Sequence, residues 1–354
     1  MRMMSVVGAR PQFVKLAPIA HEAQATQGLE HIIVHTGQHY DPALSDVFFR
    51  DLEIPSPDVH LNVGSATHGV QTGAILAALD PVLTRLEPDV VLVYGDTNST
   101  LAAALGAVKL HIPVAHLEAG LRSFNRSMPE EHNRVLVDHA SDLLLAPTQT
   151  AVDHLTREGL ADRAVLVGDV MTDVCFRVRD EVQRAPEIWD GIDGQFVVAT
   201  IHRAENTDDP QRLAAVLTAL REIDVPVLLV AHPRLRARAL SFGLSLEGEP
   251  LVLVDPLTYP DMVRVMLRSV GVVTDSGGLQ KEAFLLRVPC TTLRAETEWV
   301  ETLTGGWNLL DPDLLQLATA AVRPRPQDQK SGLFGDGRAA QHVIHQIDRH
   351  VRRL

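Results

Sequence analysis

Short apolar runs alternate with longer amphipathic stretches along most of the chain. The first run, at residues 3–7, ends at Gly8, and the helical pattern after it carries Phe13, Leu16 and Ala20. Continuous apolar runs of this length are typical of parallel strands that are buried on both faces of a sheet. We therefore predict further strands at residues 31–35, 89–94, 113–116, 196–200, 227–230, 251–254, 270–274 and 290–293, with helices at residues 43–52, 70–86, 99–110 and about 341–353.

The alternation of strands with helices is typical of α/β proteins in which helices cover both faces of parallel sheets. It falls into two series, which are separated by a charged and loosely patterned stretch after residues 165–168. Two such series predict two Rossmann-like domains that face a cleft. The pattern of the final predicted helix allows it to pack on either domain.

The composition of the 354-residue chain is ordinary for a globular protein, with 45% hydrophobic and 22% charged residues. The net charge is −13 and no run of basic residues stands out, which argues against nucleic acid as a partner. An anionic ligand must then be held by a few local cations and by helix N-termini. Cys175 and Cys290 are far apart and neither belongs to a Cys-x-x-Cys pair, which argues against a disulfide framework or a zinc site.

The sequence also bears on location. We find neither a signal peptide nor an apolar stretch of the roughly 18–20 residues that a membrane-spanning helix needs. The first predicted strand begins within the opening four residues. Together with a cysteine content that fits a reducing compartment, this predicts a cytoplasmic protein without a membrane partner.

In open parallel sheets, ligands bind beyond the carboxyl ends of the strands, so the residues directly after each predicted strand are the first candidates for a site. Five segments stand there: residues 8–10, 95–97, 117–120, 200–203 and 275–278.

The segment after residues 270–274 has the features of a phosphate site. Ser276, Gly277 and Gly278 join this strand to a helix, whose N–H groups and positive dipole end favour an anion, while the glycines would let the backbone approach it. Glu282, one turn into the helix, is placed to accept hydrogen bonds from a sugar diol. A plain strand–helix turn with a surface glutamate is the alternative. Since Gly-x-Gly-x-x-Gly and Walker motifs are absent, a nucleoside diphosphate fits better than NAD.

Three acidic side chains are candidates for proton transfer. Asp96 and Glu118 directly follow predicted buried strands, so we expect both to face the cleft. Glu130 lies with Glu131 after Pro129 at a predicted helix start, where acids also complement the helix dipole. Acids close to a bound diphosphate repel one another, which should raise at least one pKa and suit proton transfer near neutral pH.

Cationic side chains after other strands are candidates for holding a diphosphate. His202 and Arg203 follow the first strand of the second series and could face the acids across the cleft. The other candidates follow the first strand and the strand at residues 227–230: Arg10, Lys15, His232 and Arg234. His35 and His39 are separated by a predicted loop, so we predict no metal site.

In their order along the chain, these segments resemble the non-hydrolysing UDP-N-acetylglucosamine 2-epimerases, a family with the glycosyltransferase B fold. The resemblance covers nearly the whole chain. It rests on Gly8-Ala9-Arg10-Pro11 with Lys15, Tyr94-Gly95-Asp96-Thr97, His116-Leu117-Glu118-Ala119-Gly120-Leu121-Arg122, Pro129-Glu130-Glu131-His132-Asn133-Arg134, His202-Arg203-Ala204-Glu205-Asn206, Asp275-Ser276-Gly277-Gly278 and Thr297-Glu298.

The resemblance implies roles for individual residues and a domain arrangement. It implies that the final helix crosses back, so that the N-terminal domain comprises residues 1–168 and 341–354 and carries the catalytic carboxylates, while residues 169–340 bind UDP. It also implies a homodimer, and neither a metal nor a redox cofactor. The implied catalytic residues are Asp96, Glu118, Glu130 and His202, and the implied UDP ligands are Arg10, Lys15, Ser276, Gly277, Gly278 and Glu282.

The implied reaction interconverts UDP-GlcNAc and UDP-ManNAc by inversion at C2 of the sugar. UDP leaves C1 as the C2 proton is removed, 2-acetamidoglucal remains, and UDP is added back with protonation of C2 from the opposite face. This route needs a base, an acid and cations that stabilise the departing diphosphate. The candidate clusters contain these residue types.

Several alternatives stay open. Residues 8–13, 36–41 and 123–128 also resemble the branch that acts on UDP-2,3-diacetamido-2,3-dideoxy-glucuronate, although we favour UDP-GlcNAc. A glycosyltransferase of this fold would bind a UDP-sugar through residues 276–282, but it would need an acceptor groove and only one base. A non-catalytic sugar-nucleotide sensor would not need all three acids. Tyr40 and Ala204 stand where allosterically regulated members have arginines, which argues against activation by substrate.

Overall fold

The computed structural model describes residues 1–38, 49, 52–184, 192, 194–327 and 332–353, and of Arg10 it describes the backbone alone. The chain divides into two compact units, Met1–Val174 with Gly332–Leu354, and Cys175–Ser331. The sequence analysis placed these two divisions at residues 168 and 341. Most of the helix predicted at residues 43–52, as well as Tyr40, lies outside the described residues.

The described residues of the first unit form a seven-stranded parallel sheet. Along the interior strand Arg2–Val7, Met3 packs in the hydrophobic core on one face and Met4 packs in the core on the other. This burial on both faces explains why the strands are continuous apolar runs. Across the sheet, the strands lie in the order Val59–His60, Glu30–His35, Arg2–Val7, Val90–Tyr94, Val114–Leu117, Leu143–Ala146 and Ala164–Leu166.

Helices cover both faces of this sheet. Helix Arg10–Ala25 packs against the C-terminal helix Ala339–Val351, whose Val343, Ile344 and Ile347 complete the core on that face. Helices His68–Leu86 and Asn98–Lys109 cover the other face. The remaining helical elements are Pro129–Ala140, Gln149–Arg157, the 3₁₀ turn Ala161–Arg163, and Val170–Arg184, which runs into the second unit.

The described residues of the second unit form a six-stranded parallel sheet, so the predicted class of two parallel-sheet α/β domains is confirmed. Its strand order is Leu251–Val254, Val227–Val230, Val197–Thr200, Gly271–Thr274, Cys290–Thr292 and Asn308–Leu310. Its helical elements are Ala204–Thr207, Pro210–Arg221, Pro233–Phe242, Tyr259–Arg268, Gly277–Leu285, Val300–Gly306 (3₁₀) and Leu317–Ala321. Within the described ranges, each helix is too short or too polar to span a membrane.

A histidine in the first sheet makes the stability of the fold depend on pH. His31 Nε2 lies 2.7 Å from Ser5 Oγ, which lies 2.7 Å from the buried Tyr94 hydroxyl. Burial lowers the pKa of His31 from 6.5 to about 4, and Asp58 opposes only part of this effect. As the pH falls, the unfolded chain therefore binds this proton before the folded chain does. The contribution of His31 to stability is complete above pH 6.5 and is lost as the pH falls towards 4.

We expect the free energy of unfolding to fall by up to about 3 kcal/mol across this interval because of His31. Urea unfolding of the wild type and of His31→Gln at several pH values measures the effect, since glutamine keeps a polar group but does not titrate. The variant should show the shallower pH dependence. Equal slopes for the two proteins would contradict the assignment.

Candidate active site

The acids Asp96 and Glu118 lie side by side because their strands do. Strands Val90–Tyr94 and Val114–Leu117 are neighbours, with Tyr94 opposite Leu117, and the Gly95 amide donates to the Leu117 carbonyl at 3.0 Å. Each acid comes directly after this paired register. The sheet thus brings two acids that are distant in sequence to one edge.

Glu118 is held in an unusual backbone conformation. Its φ of +71° lies in the left-handed region, which residues other than glycine rarely adopt, and its side chain is only 10% exposed. Its Oε2 contacts the Lys15 ammonium. A Cβ atom at Gly95 would lie 3.2 Å from Glu118 Oε2, so glycine leaves room for this carboxylate. Such strain persists where the surrounding structure demands it, which is common at functional sites.

Lys15, a predicted diphosphate ligand, has a protein partner in the structure. Its ammonium lies against the Glu118 carboxylate. Burial alone would lower the pKa of Lys15, but the carboxylates of Glu118 and Asp96 outweigh burial and raise it. Lys15 therefore remains a cation beside these acids.

Asp96 also has a cationic partner. Its Oδ2 contacts Arg134 Nη2, and Asn133 Nδ2 donates to its backbone carbonyl at 2.9 Å. Both residues lie on helix Pro129–Ala140, and the Asp96 side chain remains 31% exposed. The sequence analysis considered only the repulsion of these acids near a bound diphosphate, whereas Asp96 and Glu118 each also contact a cation.

The structure distinguishes the two glutamates at the start of this helix. Glu131 is buried and accepts hydrogen bonds from the backbone N–H groups of Ser123 and Phe124, both at 2.9 Å, and from Arg134 Nη1 at 2.8 Å. Burial would raise the pKa of Glu131, but the hydrogen bonds from Ser123 and Phe124 and the charge of Arg134 lower it. Glu131 is thus committed to the preceding loop. Glu130 is half-buried, and no such contacts hold it within the described residues.

A fully buried polar cluster supports this edge of the sheet. His116 Nδ1 lies 2.6 Å from Asp138 Oδ1 and its Nε2 lies 2.7 Å from the Gly95 carbonyl oxygen. Arg122 lies 2.7 Å from Asp138 and also pairs with Glu158. Burial would raise the pKa of Asp138, but His116 and Arg122 lower it. The cluster therefore anchors the turn that precedes Asp96.

In the second unit, Asp275 organises the residues that follow two neighbouring strands. Thr200 and Thr274 lie opposite each other, and the fully buried Asp275 carboxylate accepts from the backbone N–H groups of His202 at 3.1 Å and Arg203 at 2.9 Å. The His202 ring lies 3.3 Å from Asp275 Oδ1 and remains 35% exposed. His232 caps the helix Pro233–Phe242, and its ring centre is 5.3 Å from that of His202.

The predicted phosphate site lies at the start of helix Gly277–Leu285. Ser276 is its N-cap, with Oγ accepting from the Leu279 amide at 3.3 Å. Gly278 is exposed, and a Cβ atom there would meet nothing closer than 3.8 Å. At Gly277, in contrast, a Cβ atom would lie 2.4 Å from Glu298 Oε1. Glycine at position 277 therefore leaves room for the Glu298 carboxylate.

Comparison with known proteins identifies the family. The family model for UDP-N-acetylglucosamine 2-epimerase matches residues 21–348. The chain belongs to this family. This chain is 45% identical over 355 residues to the UDP-2,3-diacetamido-2,3-dideoxy-D-glucuronate 2-epimerase of Pseudomonas aeruginosa. The match covers 97% of this chain and 98% of that protein. The chain is also 45% identical over 324 residues to the UDP-N-acetylglucosamine 2-epimerase homolog of Methanococcus maripaludis, across 88% of each protein.

Comparison with solved structures also matches the chain to UDP-GlcNAc 2-epimerases. The crystal structure of the Methanocaldococcus jannaschii UDP-GlcNAc 2-epimerase in complex with UDP-GlcNAc and UDP matches with a TM-score of 0.86 at 36% identity, over 99% of this chain and 100% of that one. The resemblance stated from the sequence is thus confirmed, and with it the enzyme class, an isomerase that acts on a UDP-sugar.

Two predicted UDP ligands of the epimerase have other partners. Arg234 Nη2 donates to both carboxylate oxygens of Asp208, each at 2.6 Å. Arg234 Nε donates to Thr207 Oγ1 at 2.9 Å. Glu282 is only 8% exposed, which excludes the alternative of a surface glutamate. Burial, followed by the charge of Glu282, raises the pKa of the neighbouring Tyr259. The side chain of Arg10 lies outside the described residues.

Sequence reasoning missed the residues that hold the candidates in place. The carboxylate of Asp275, the guanidinium of Arg134 and the buried pair of His116 and Asp138 each contact a candidate or its backbone. Asp275, Arg134 and His116 stand in the segments that carry the family resemblance, whereas Asp138 had no sequence signal. Among the described residues, we find no group of three or more histidine, cysteine or acidic side chains that could hold a metal ion.

Proposed function

We propose that this epimerase inverts C2 of a UDP-linked 2-acetamido sugar, with UDP-GlcNAc and UDP-ManNAc as the interconverted pair. The observation that carries the proposal is the placement of Glu118 and Asp96 at the ends of neighbouring strands, each against its own cation. Direct removal of the weakly acidic C2 proton is hard. Elimination of UDP in the same step makes it feasible.

The proton chemistry is assigned to the first unit. In the elimination, a carboxylate takes the C2 proton, the electron pair of that C–H bond forms the C1–C2 double bond, and the electrons of the C1–O bond leave with UDP. Re-addition reverses these events, with the proton delivered to the opposite face of C2. Asp96, Glu118 and Glu130 supply the carboxyl groups. Lys15 contacts the carboxylate of Glu118, and Arg134 contacts that of Asp96, so both acids are held in place by a cationic partner.

Stabilisation of the leaving diphosphate is assigned to Arg10 and to the second unit. The Ser276 helix start offers backbone N–H groups and a positive dipole end, which suit a phosphate. His202 and Arg203 add cationic or hydrogen-bonding groups, and Asp275 fixes their backbone. Groups that are already oriented towards developing negative charge lower the barrier, because they need not reorganise during the reaction.

One other substrate has specific support. The Pseudomonas aeruginosa relative, at 45% identity, acts by its name on UDP-2,3-diacetamido-2,3-dideoxy-D-glucuronate. The C2 chemistry is the same for both sugars. Comparing kcat/KM for the two substrates with one enzyme preparation decides between them, and a higher value for the diacetamido sugar would reassign the substrate while keeping the mechanism.

Proton NMR in deuterated water tests the reaction itself. Incubated with UDP-GlcNAc alone, the enzyme should form UDP-ManNAc that carries deuterium at C2, and prolonged incubation should release traces of UDP and 2-acetamidoglucal. Heat-inactivated enzyme is the control. Epimerised product without deuterium would contradict elimination. No exchange with either sugar would instead favour a glycosyltransferase or a sugar-nucleotide sensor.

His202→Asn tests the role of the imidazole in the departure of UDP. We expect kcat to fall by about 100-fold with little change in KM, since loss of one group that stabilises developing charge costs roughly this much. His345→Asn is the control, because it replaces an exposed histidine of the C-terminal helix that is not among the candidate site residues. A raised KM with an unchanged kcat for His202→Asn would reduce its role to binding.

We further propose a cytoplasmic homodimer. The free, buried thiols of Cys175 and Cys290 and the family resemblance support this proposal. Light scattering on the purified chain measures the assembly, and a mass near 38.7 kDa would contradict the dimer.

A further inference from the structure

A second candidate binding site lies at the other end of the helix that begins after Ser276. A cavity of about 650 Å³ is lined by the C-terminal parts of helices Val170–Arg184 and Tyr259–Arg268, by the end of helix Gly277–Leu285, and by Arg325. Helix Gly277–Leu285 has nine residues, so roughly 13 Å separates its two ends. The cavity is thus distinct from the proposed phosphate site at the helix start.

The lining is strongly basic, although the chain as a whole carries a net charge of −13. Among its described residues are one acid, Asp180, and five arginines: Arg179, Arg264, Arg268, Arg287 and Arg325. A cation at a helix C-terminus neutralises the negative end of the helix dipole, which accounts for some of these arginines. Two of them have nearby acids, Arg179 with Asp180 at 2.8 Å and Arg264 with Asp261 at 2.6 Å. The described lining has five arginines and one acid, and the excess of positive charge holds even when only Arg287 and Arg325 are counted beyond these two pairs.

Arg287 gives the cavity a more specific feature. It lies two residues after the last residue of helix Gly277–Leu285, with a φ of +60° in the left-handed region. Its guanidinium carbon lies 5.3 Å from the centre of the Trp307 ring. Its Nη1 is buried and has no hydrogen-bond partner among the described residues. Arg287 thus contributes a guanidinium group near the Trp307 ring to the lining of the cavity.

We propose that this cavity binds a small soluble molecule that carries a diphosphate or two phosphate groups. Guanidinium groups match phosphate oxygens in geometry and charge, and several of them surround one space here. The volume falls in the range of about 300–1,000 Å³ that is typical of small-molecule sites. Leu267, Leu285 and Leu286 provide an apolar wall for the rest of the ligand. The inference does not depend on the proposed epimerase reaction.

Isothermal titration of the full chain with inorganic pyrophosphate tests the proposal, with saturating UDP present so that the UDP site is occupied. We expect pyrophosphate to bind at one site besides the site filled by UDP, with an affinity that falls as the salt concentration rises. Arg287→Gln should weaken this binding at least 10-fold. Arg325→Gln, at an exposed position where folding is not at risk, should weaken it several-fold.

Arg236→Gln is the matched control, since Arg236 lies on the second unit, pairs with Asp255 at 2.7 Å and does not line the cavity. It should bind pyrophosphate as the wild type does. No additional binding event, or one that neither cavity variant weakens, would overturn the proposal. Binding to phosphatidic acid vesicles in place of pyrophosphate would overturn the assignment to a small soluble ligand.

Discussion

Asp96→Asn, Glu118→Gln and Glu130→Gln are each expected to lower turnover by about 100-fold or more, which is the usual contribution of a general acid or base. These substitutions keep the size and polarity of each side chain and remove the exchangeable carboxyl group. Glu118 and Asp96 lie at adjacent strand ends, and Glu130 lies one turn before Arg134 on the neighbouring helix. If the three groups move the C2 proton, the chemical step slows in every variant.

UDP affinity should change little in these variants, because each substitution removes a negative charge and no phosphate ligand. Calorimetric titration with UDP beside steady-state rates separates the two effects. Deuterium exchange at C2 should fall together with turnover. Near-normal turnover in all three variants would end the catalytic assignment and revive the sugar-nucleotide sensor.

The adjacent Glu131→Gln provides the matched control for Glu130→Gln. Glu131 accepts hydrogen bonds from Ser123 and Phe124 and pairs with Arg134, so its loss should lower the melting temperature. Glu130 has no comparable contacts within the described residues, and Glu130→Gln should leave the melting temperature near that of the wild type. A stable but inactive Glu130→Gln beside a destabilised Glu131→Gln is the expected pattern. The reverse pattern would exchange the roles of the two glutamates.

Asp138→Ala is expected to destabilise the protein by about 3–5 kcal/mol, because it leaves the buried Arg122 guanidinium and the His116 ring without the carboxylate that they contact. Asp138 is fully buried and contacts His116 Nδ1 at 2.6 Å and Arg122 Nη1 at 2.7 Å. The Arg122 side chain is itself only 1% exposed and retains Glu158 as its other partner. Urea unfolding measures the loss as a lower transition midpoint.

Asp162→Ala, at an exposed acid of the same unit, is the control and should change stability by less than about 0.5 kcal/mol. The same cluster positions the Gly95 carbonyl before Asp96. Any Asp138→Ala protein that folds should therefore also lose turnover while keeping UDP affinity. A stability close to that of the wild type would show that solvent reaches the cluster.

The pattern of hydrophobic residues located most of the sheet but missed some short strands. Leu143–Ala146 is fully buried yet spans only four residues, and the strand Ala164–Leu166 at the sheet edge is half-exposed and shorter still. Length alone is not the reason, since four-residue strands such as Val227–Val230 were predicted. The pairing of Leu143–Ala146 and Ala164–Leu166 with neighbouring strands depends on backbone hydrogen bonds, which no side-chain pattern records.

The sequence by itself determined the fold class, the family and the segments that form the candidate site, because apolar runs mark buried parallel strands and ligands bind at their carboxyl ends. Tertiary structure decided which partner each charged group meets. It set Lys15 against Glu118, committed Glu131 rather than Glu130 to the loop, and filled the space at Gly277 with Glu298. It also docked the C-terminal helix on helix Arg10–Ala25. Periodicity reports that a side chain is buried, whereas the identity of its neighbour depends on distances in space between residues far apart in the chain.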